Sequence, residues 1–180
     1  MHGGETGKDL PGNTQFFSQF TQLVEKDKVK ILLCYWAREK KEWQRLTHRD
    51  TTKIQSNTAK QVVFHVLEDV ADLLSNIDDY DVLYVAGGEA ELLEPYYKSL
   101  SFLKEKLAGK VYVGSSMGAF LASKNYVLSF DCQDSDTKHQ GLGLLPIQTL
   151  CHWNIEEKNK GNSNFLIRIR QLLCSMRESM

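Results

Sequence analysis

The sequence predicts an α/β protein, a three-layer sandwich with helices on both faces of a mostly parallel central sheet. Two observations carry this. Four short apolar runs rich in branched and aromatic residues (29–36, 61–67, 82–86 and 110–113) alternate with longer stretches of helical character. The third and fourth runs end directly on glycine, at Gly87-Gly88 and at Gly114. Strands regularly interrupted by helices favour parallel pairing through right-handed crossovers. At 180 residues the chain is long enough for one domain with a sizeable core, and it reads as a single domain over residues 1–180.

The elements follow in order. The first dozen residues, with Gly3, Gly4, Gly7, Pro11 and Gly12, read as a loop. From Gln15 to Lys26, Phe16, Phe17, Phe20, Leu23 and Val24 recur at helical spacing. Val29 to Trp36 reads as a strand buried on both faces. The polar stretch Glu39 to Ile54 is expected to be helical, Gln61 to Leu67 a second strand, and Val70 to Ile77 a short helix. After the strand Val82 to Ala86, one helix is expected from Ala90 to Leu107, with Leu92, Leu93, Tyr96, Leu100, Leu103 and Leu107 on its apolar side. The strand from Lys110 to Val113 follows. The pattern then becomes irregular, with a strand at Tyr126 to Phe130, a polar loop from Asp131 to Gln140, and a closing helix from Phe165 to Met176.

Composition excludes several function classes. Lys plus Arg (22) and Asp plus Glu (23) nearly cancel, so there is no basic excess to hold a phosphate backbone and nucleic-acid binding is disfavoured. Apolar runs such as Ile31 to Cys34 are far too short for a membrane span. The start, Met1-His2-Gly3-Gly4-Glu5, lacks the features of a secretory signal. Cys34, Cys132, Cys151 and Cys174 form no CxxC pair and read as thiols in a reducing, cytoplasmic setting. No metal-ligand or phosphate-loop motif occurs, and no cofactor is expected.

The strongest chemical signal is Gly114-Ser115-Ser116-Met117-Gly118, placed between a strand and the apolar stretch Ala119 to Ala122. This is the G-x-S-x-G pattern in the strand–turn–helix context that exposes a serine at the tip of a sharp turn. Ser116 is the candidate nucleophile, and the Met117 N–H at the following helix start is a candidate oxyanion donor. A Gly/Ser-rich turn without chemistry fits the motif alone equally well. A serine needs a base, and the base an orienting acid. Downstream of Ser116 stand His139, in a polar loop and expected to be solvated, and His152, at the end of an apolar segment. His152 is therefore the candidate base, with a packed core histidine as the plain alternative. Asp131, Asp134 and Asp136 are candidate acids, Asp131 being best fixed because it ends a strand. Gly88 offers a second oxyanion N–H, or simply a βα turn. Cys151 is expected to pack, since neighbours on an extended segment face opposite ways.

Together, the GG turn, GSSMGAFLAS and GLGLLPIQTLCHW resemble the peptidase S51 family, typified by the aspartyl dipeptidases, with cyanophycinase a more distant relative. The resemblance runs from about Lys30 to Leu173 and implies a fold like that of class I glutamine amidotransferases, with serine as nucleophile. It implies Ser116 as nucleophile, His152 as base, Asp131 as acid, and Gly88 with Met117 as the oxyanion hole. It also implies a serine-type peptidase acting on dipeptides or short peptides. The chain departs from the family at several places. Glu89-Ala90 replaces a Gly-Asn pair after the GG turn, and Met117, expected to narrow the pocket, stands where Ala is usual. The stretch Gly161-Asn162-Ser163-Asn164 lacks the Arg that suits an acidic substrate, which places aspartyl specificity in doubt; the next arginines are Arg168 and Arg170. A first strand is expected just before His2-Gly3-Gly4, so the start reads as truncated. Two other readings stay open: a non-catalytic relative that binds a small ligand or protein partner, and an esterase of the α/β-hydrolase type, which shares the Ser–Asp–His order.

Overall fold

The computed structural model describes residues 1–128 and 138–150. Its centre is a four-stranded, wholly parallel sheet of β1 (Lys28–Cys34), β2 (Gln61–Val66), β3 (Val82–Val85) and β4 (Val111–Gly114), in the order β2-β1-β3-β4. Every neighbour is parallel because every connection carries a helical crossover. Register is set by pairs such as Ile31 with Phe64, Leu33 with Tyr84, and Val85 with Gly114.

Alternation along the strands builds two cores. Leu32, Cys34, Trp36, Leu83 and Val85 face one layer, where they meet Leu73, Leu93, Leu103 and Phe120. Val29, Ile31, Leu33, Tyr35, Val82 and Tyr84 face the other, against Phe17, Phe20, Leu46 and Ile54. The second layer comprises α1 (Pro11–Gln22) and α2 (Lys40–Ser56). The first comprises α3 (Val70–Asn76), α4 (Ala90–Leu93), α5 (Leu103–Lys106) and α6 (Met117–Ala122). Each fully buried Leu or Ile contributes about 1.5–3 kcal/mol, so β1, buried on both faces, is the chief anchor of the sandwich. The α/β three-layer expectation is met.

Three expectations are corrected. The helix expected from Ala90 to Leu107 is broken into α4, a 3-10 stretch Glu94–Leu100, and α5. Pro95 is the cause: it has no N–H to donate and its ring clashes with the carbonyl four residues earlier, so the chain tightens into 3-10 turns although Glu94 itself keeps helical dihedrals (φ −57°, ψ −35°). The apolar side nevertheless packs as expected, with Leu93, Leu100 and Leu103 all buried. The end of the expected loop 131–140 is a strand, β6 (Lys138–Gln140), antiparallel to β5 (Asn125–Val127). With β7 (Gln148–Leu150) these form a small second sheet in the order β6-β5-β7. Helix α1 also starts at Pro11 rather than Gln15, since proline at the first helical position loses no hydrogen bond. Among the described residues, no helix is long and apolar enough to cross a membrane.

Candidate active site

In a doubly wound sheet, ligands bind beyond the carboxyl ends of the strands, where the strand order reverses. Here that place lies between β1 and β3. The segments leaving β1 (Ala37-Arg38), β3 (Gly87-Gly88) and β4 (Ser115-Ser116) converge on a cavity of about 390 Å³, closed on another side by Gly4 to Gly7.

Ser116 sits at its wall in a conformation rare for a residue with a side chain, φ 49° and ψ −113°. Such backbone costs of order 1–3 kcal/mol and persists only where the surroundings enforce it. They do so here on every side. The Ser116 N–H donates to the His2 carbonyl (2.9 Å), and the His2 N–H to the Gly114 carbonyl (2.8 Å), so His2 lies along the end of β4. The Ser116 carbonyl accepts from the amides of Ala119 and Phe120, closing the first turn of α6. The Tyr112 hydroxyl donates to the Gly118 carbonyl at 2.6 Å. Gly118 leaves no room for a side chain, since a Cβ there would lie 2.1 Å from the Val85 carbonyl oxygen. The helix start is thus pressed onto the end of β3, and the two GxSxG glycines are demanded by packing.

Gly87 is in direct contact with the elbow: a Cβ on it would come within 2.8 Å of the Ser116 Cβ. The Gly87 carbonyl accepts from the Nε–H of Arg38 (2.8 Å), and the Glu89 amide donates to the Ala37 carbonyl (2.8 Å), which fixes the turn. Among the described residues, neither the Gly88 N–H nor the Met117 N–H has an acceptor. Both residues line the cavity beside Ser116.

The structure therefore brings together Ser116, Gly88 and Met117. His152 and Asp131, together with Asp134, Asp136, Cys151 and the stretch 161–176, lie outside the described residues. Two side chains differ from expectation. Met117 is only 2% exposed and belongs to the buried cluster containing Trp36, Leu93 and Phe120, so most of its bulk fills the core instead of blocking the cavity. His139 is not solvated. Its pairing on β6 lays the ring on Tyr126 (5.1 Å between centroids), with Nδ1 3.1 Å from Glu94 Oε1 and the side chain 18% exposed.

A further group on the wall was not singled out in the sequence. Arg49 of α2 lines the cavity, and its Nε–H donates to Asp50 Oδ1 at 2.7 Å. Asp50 is wholly buried and also accepts from the Tyr35 hydroxyl at 3.3 Å. Burial, reinforced by the Asp50 charge, pushes the Tyr35 hydroxyl far above its ordinary range, so it remains a neutral donor. A signal for this group does exist in the sequence. Leu46, Asp50 and Ile54 are spaced by four and share the buried face of α2, where an acid requires a partner.

Comparison with known proteins agrees with this architecture. Residues 2–178 match Peptidase family S51. The chain is 30% identical over 96 residues to an uncharacterized peptidase, Lmo0363, of Listeria monocytogenes serovar 1/2a (strain ATCC BAA-679 / EGD-e). That alignment covers 48% of this chain and 47% of the relative, so the match spans about half the relative's length. The fold is similar to a crystal structure described as a candidate peptidase E from Listeria monocytogenes EGD-e, with TM-score 0.59 and 20% identity over 94% of this chain and 84% of the other. It is also similar to a peptidase from an acI-B1 Actinobacterium, with TM-score 0.56 and 15% identity over 79% of this chain and 62% of that one. By a sequence match that runs nearly end to end, the chain belongs to peptidase family S51.

Proposed function

We propose that the protein is a serine-type peptidase acting on dipeptides or short peptides, with Ser116 as nucleophile, His152 as base and Asp131 as the acid that orients it. The observation that carries this reading is the backbone of Ser116. A strained serine, held at a strand-to-helix turn on the wall of a cavity and beside two amides that have no acceptor among the described residues, is the arrangement that nucleophilic acyl transfer needs. Membership of a peptidase family supports the same class of reaction.

In this mechanism the Ser116 Oγ attacks the scissile carbonyl carbon while its proton passes to the His152 imidazole. The carbonyl oxygen takes up the negative charge and is met by the Gly88 and Met117 N–H groups. Collapse breaks the C–N bond, and the departing amine takes the proton from His152. Water then adds to the acyl-enzyme by the same route in reverse, releasing the acid and restoring Ser116. Asp131 holds the imidazole tautomer throughout. No metal or cofactor enters any step. We place the activity in the cytoplasm, as four cysteines with no CxxC pair suggest.

The test is hydrolysis of a mixed dipeptide panel, with acidic and non-acidic first residues, by the native protein and by Ser116→Ala. Loss of about 10³–10⁶-fold in kcat with folding intact is expected. Equal activity in the two proteins rules the reading out. Labelling of Ser116 by a fluorophosphonate probe separates a working site from a binding-only relative.

A further inference from the structure

We propose that Arg49 is the specificity-determining residue of this cavity, its guanidinium taking a carboxylate of the substrate. That the ligand is a peptide rests on the hydrolase reading above; that the site takes a carboxylate rests on the geometry alone.

A buried ion pair adds little to stability, because desolvation of both charges offsets their attraction. The Arg49–Asp50 pair is unusual in having one member fully buried and the other open to the cavity. Asp50 has no exposure, whereas the Arg49 side chain is 29% exposed. Asp50 binds only the Nε–H, so it fixes the plane of the guanidinium and leaves its two terminal nitrogens to point elsewhere. Among the described residues, no hydrogen bond reaches either of them. Gly7 passes close to the guanidinium without a side chain to crowd it, since a Cβ at that position would lie 3.0 Å from Nη1. A planar donor pair held on a rigid helix is matched to the two oxygens of a carboxylate.

The other charges on the cavity wall fit this assignment. Arg38 has committed its Nε–H to the Gly87 carbonyl and adds positive potential to the cavity wall. The acids Glu5, Glu89 and Glu91 all belong to the exposed surface, where solvent screens them, and Glu5 is paired with Lys8. A peptide offers two sources of carboxylate, the chain terminus and an acidic side chain, and one guanidinium chemistry serves either.

Binding to the Ser116→Ala protein, by calorimetry, tests this without any turnover. The ligands are alanyl-leucine and its C-terminal amide, then aspartyl-leucine amide and asparaginyl-leucine amide. In one of the two pairs the charged member is expected to bind about tenfold to a hundredfold more tightly. Arg49→Lys should remove most of that discrimination while leaving the neutral member within about twofold, because an ammonium cannot make the paired contact. Arg49→Gln alone strands a buried charge, so Arg49→Gln with Asp50→Asn is the second variant, and it should abolish the discrimination. The pair that responds identifies the source of the carboxylate. Equal binding of acid and neutral ligands by the parent protein, or equal weakening of both by Arg49→Lys, overturns the proposal. Neither result depends on hydrolysis, so a failed peptidase assay and a failed carboxylate site are distinguishable.

Discussion

The two edges of the central sheet are held in different ways. At the β4 edge the chain runs into Ser116 with a positive φ, α6 begins within van der Waals limits of β3, and the bonds that hold the turn are mostly backbone to backbone. At the β2 edge nothing is strained and side chains do the fastening. Asp69 caps α3 by accepting from the Asp72 N–H (2.9 Å). The Asp72 carboxylate in turn meets the His65 ring, the Glu68 amide and the Asn76 side chain, all at 2.8–2.9 Å. Side-chain fastening is replaceable piece by piece, whereas backbone pressed on backbone is not. Strain at β4 persists because its supports are rigid, and it lies where the cavity is.

The largest expected effect comes from breaking the close approach. Gly118→Ala sets a methyl against the Val85 carbonyl and should cost about 3 kcal/mol, read as a lowered urea midpoint. Near-native stability would mean that the elbow is looser than its geometry implies. Next is Asp72→Ala, which frees the partners of one carboxylate and should cost about 2 kcal/mol. Ser116→Gly should move the other way. Removing the Cβ relieves the positive φ, raising stability by about 1 kcal/mol while eliminating hydrolysis. A destabilised glycine variant would show that Ser116 is not strained. The smallest effect is Asp69→Ala, which removes the α3 cap for about 1 kcal/mol and leaves turnover unchanged.

Acidity bears on the fastening of the sheet as well, at Asp72 beside β2 and at Asp81 before β3. Burial alone would raise the Asp72 carboxyl, but the Glu68 amide and the His65 ring hold it below its ordinary value of 3.8. Asp81 is likewise lowered, its burial outweighed by Lys26 and the Lys30 amide. For groups depressed in the folded state, the stabilisation is complete above the unfolded value and is lost as pH falls through the folded one. Urea midpoints should therefore decline below about pH 4, and Asp81→Asn should flatten that decline. An unchanged slope would remove Asp81 from the account.

Much of the fold can be read from the chain because local patterns and global packing agree. Branched apolar runs mark all four central strands to within two residues of their observed ends, and glycine at the ends of β3 and β4 marks the turns that line the cavity. The GxSxG spacing marks the elbow, since its glycines are required by steric exclusion, which operates whatever the rest of the sequence. Counting leucines alone misplaced the helix after β3, because the apolar stripe survives the break that Pro95 imposes.

Composition, parallel pairing through helical crossovers, and the serine turn were therefore determined by the sequence itself, through short-range sterics and periodic burial. Three things were decided only in the tertiary structure. His139 packs against Tyr126 because β6 pairs with β5; Met117 buries its bulk in the core; and Arg49 reaches the cavity because Asp50 is buried beneath α2. Each depends on what a distant segment leaves open or fills, and no spacing along the chain encodes that.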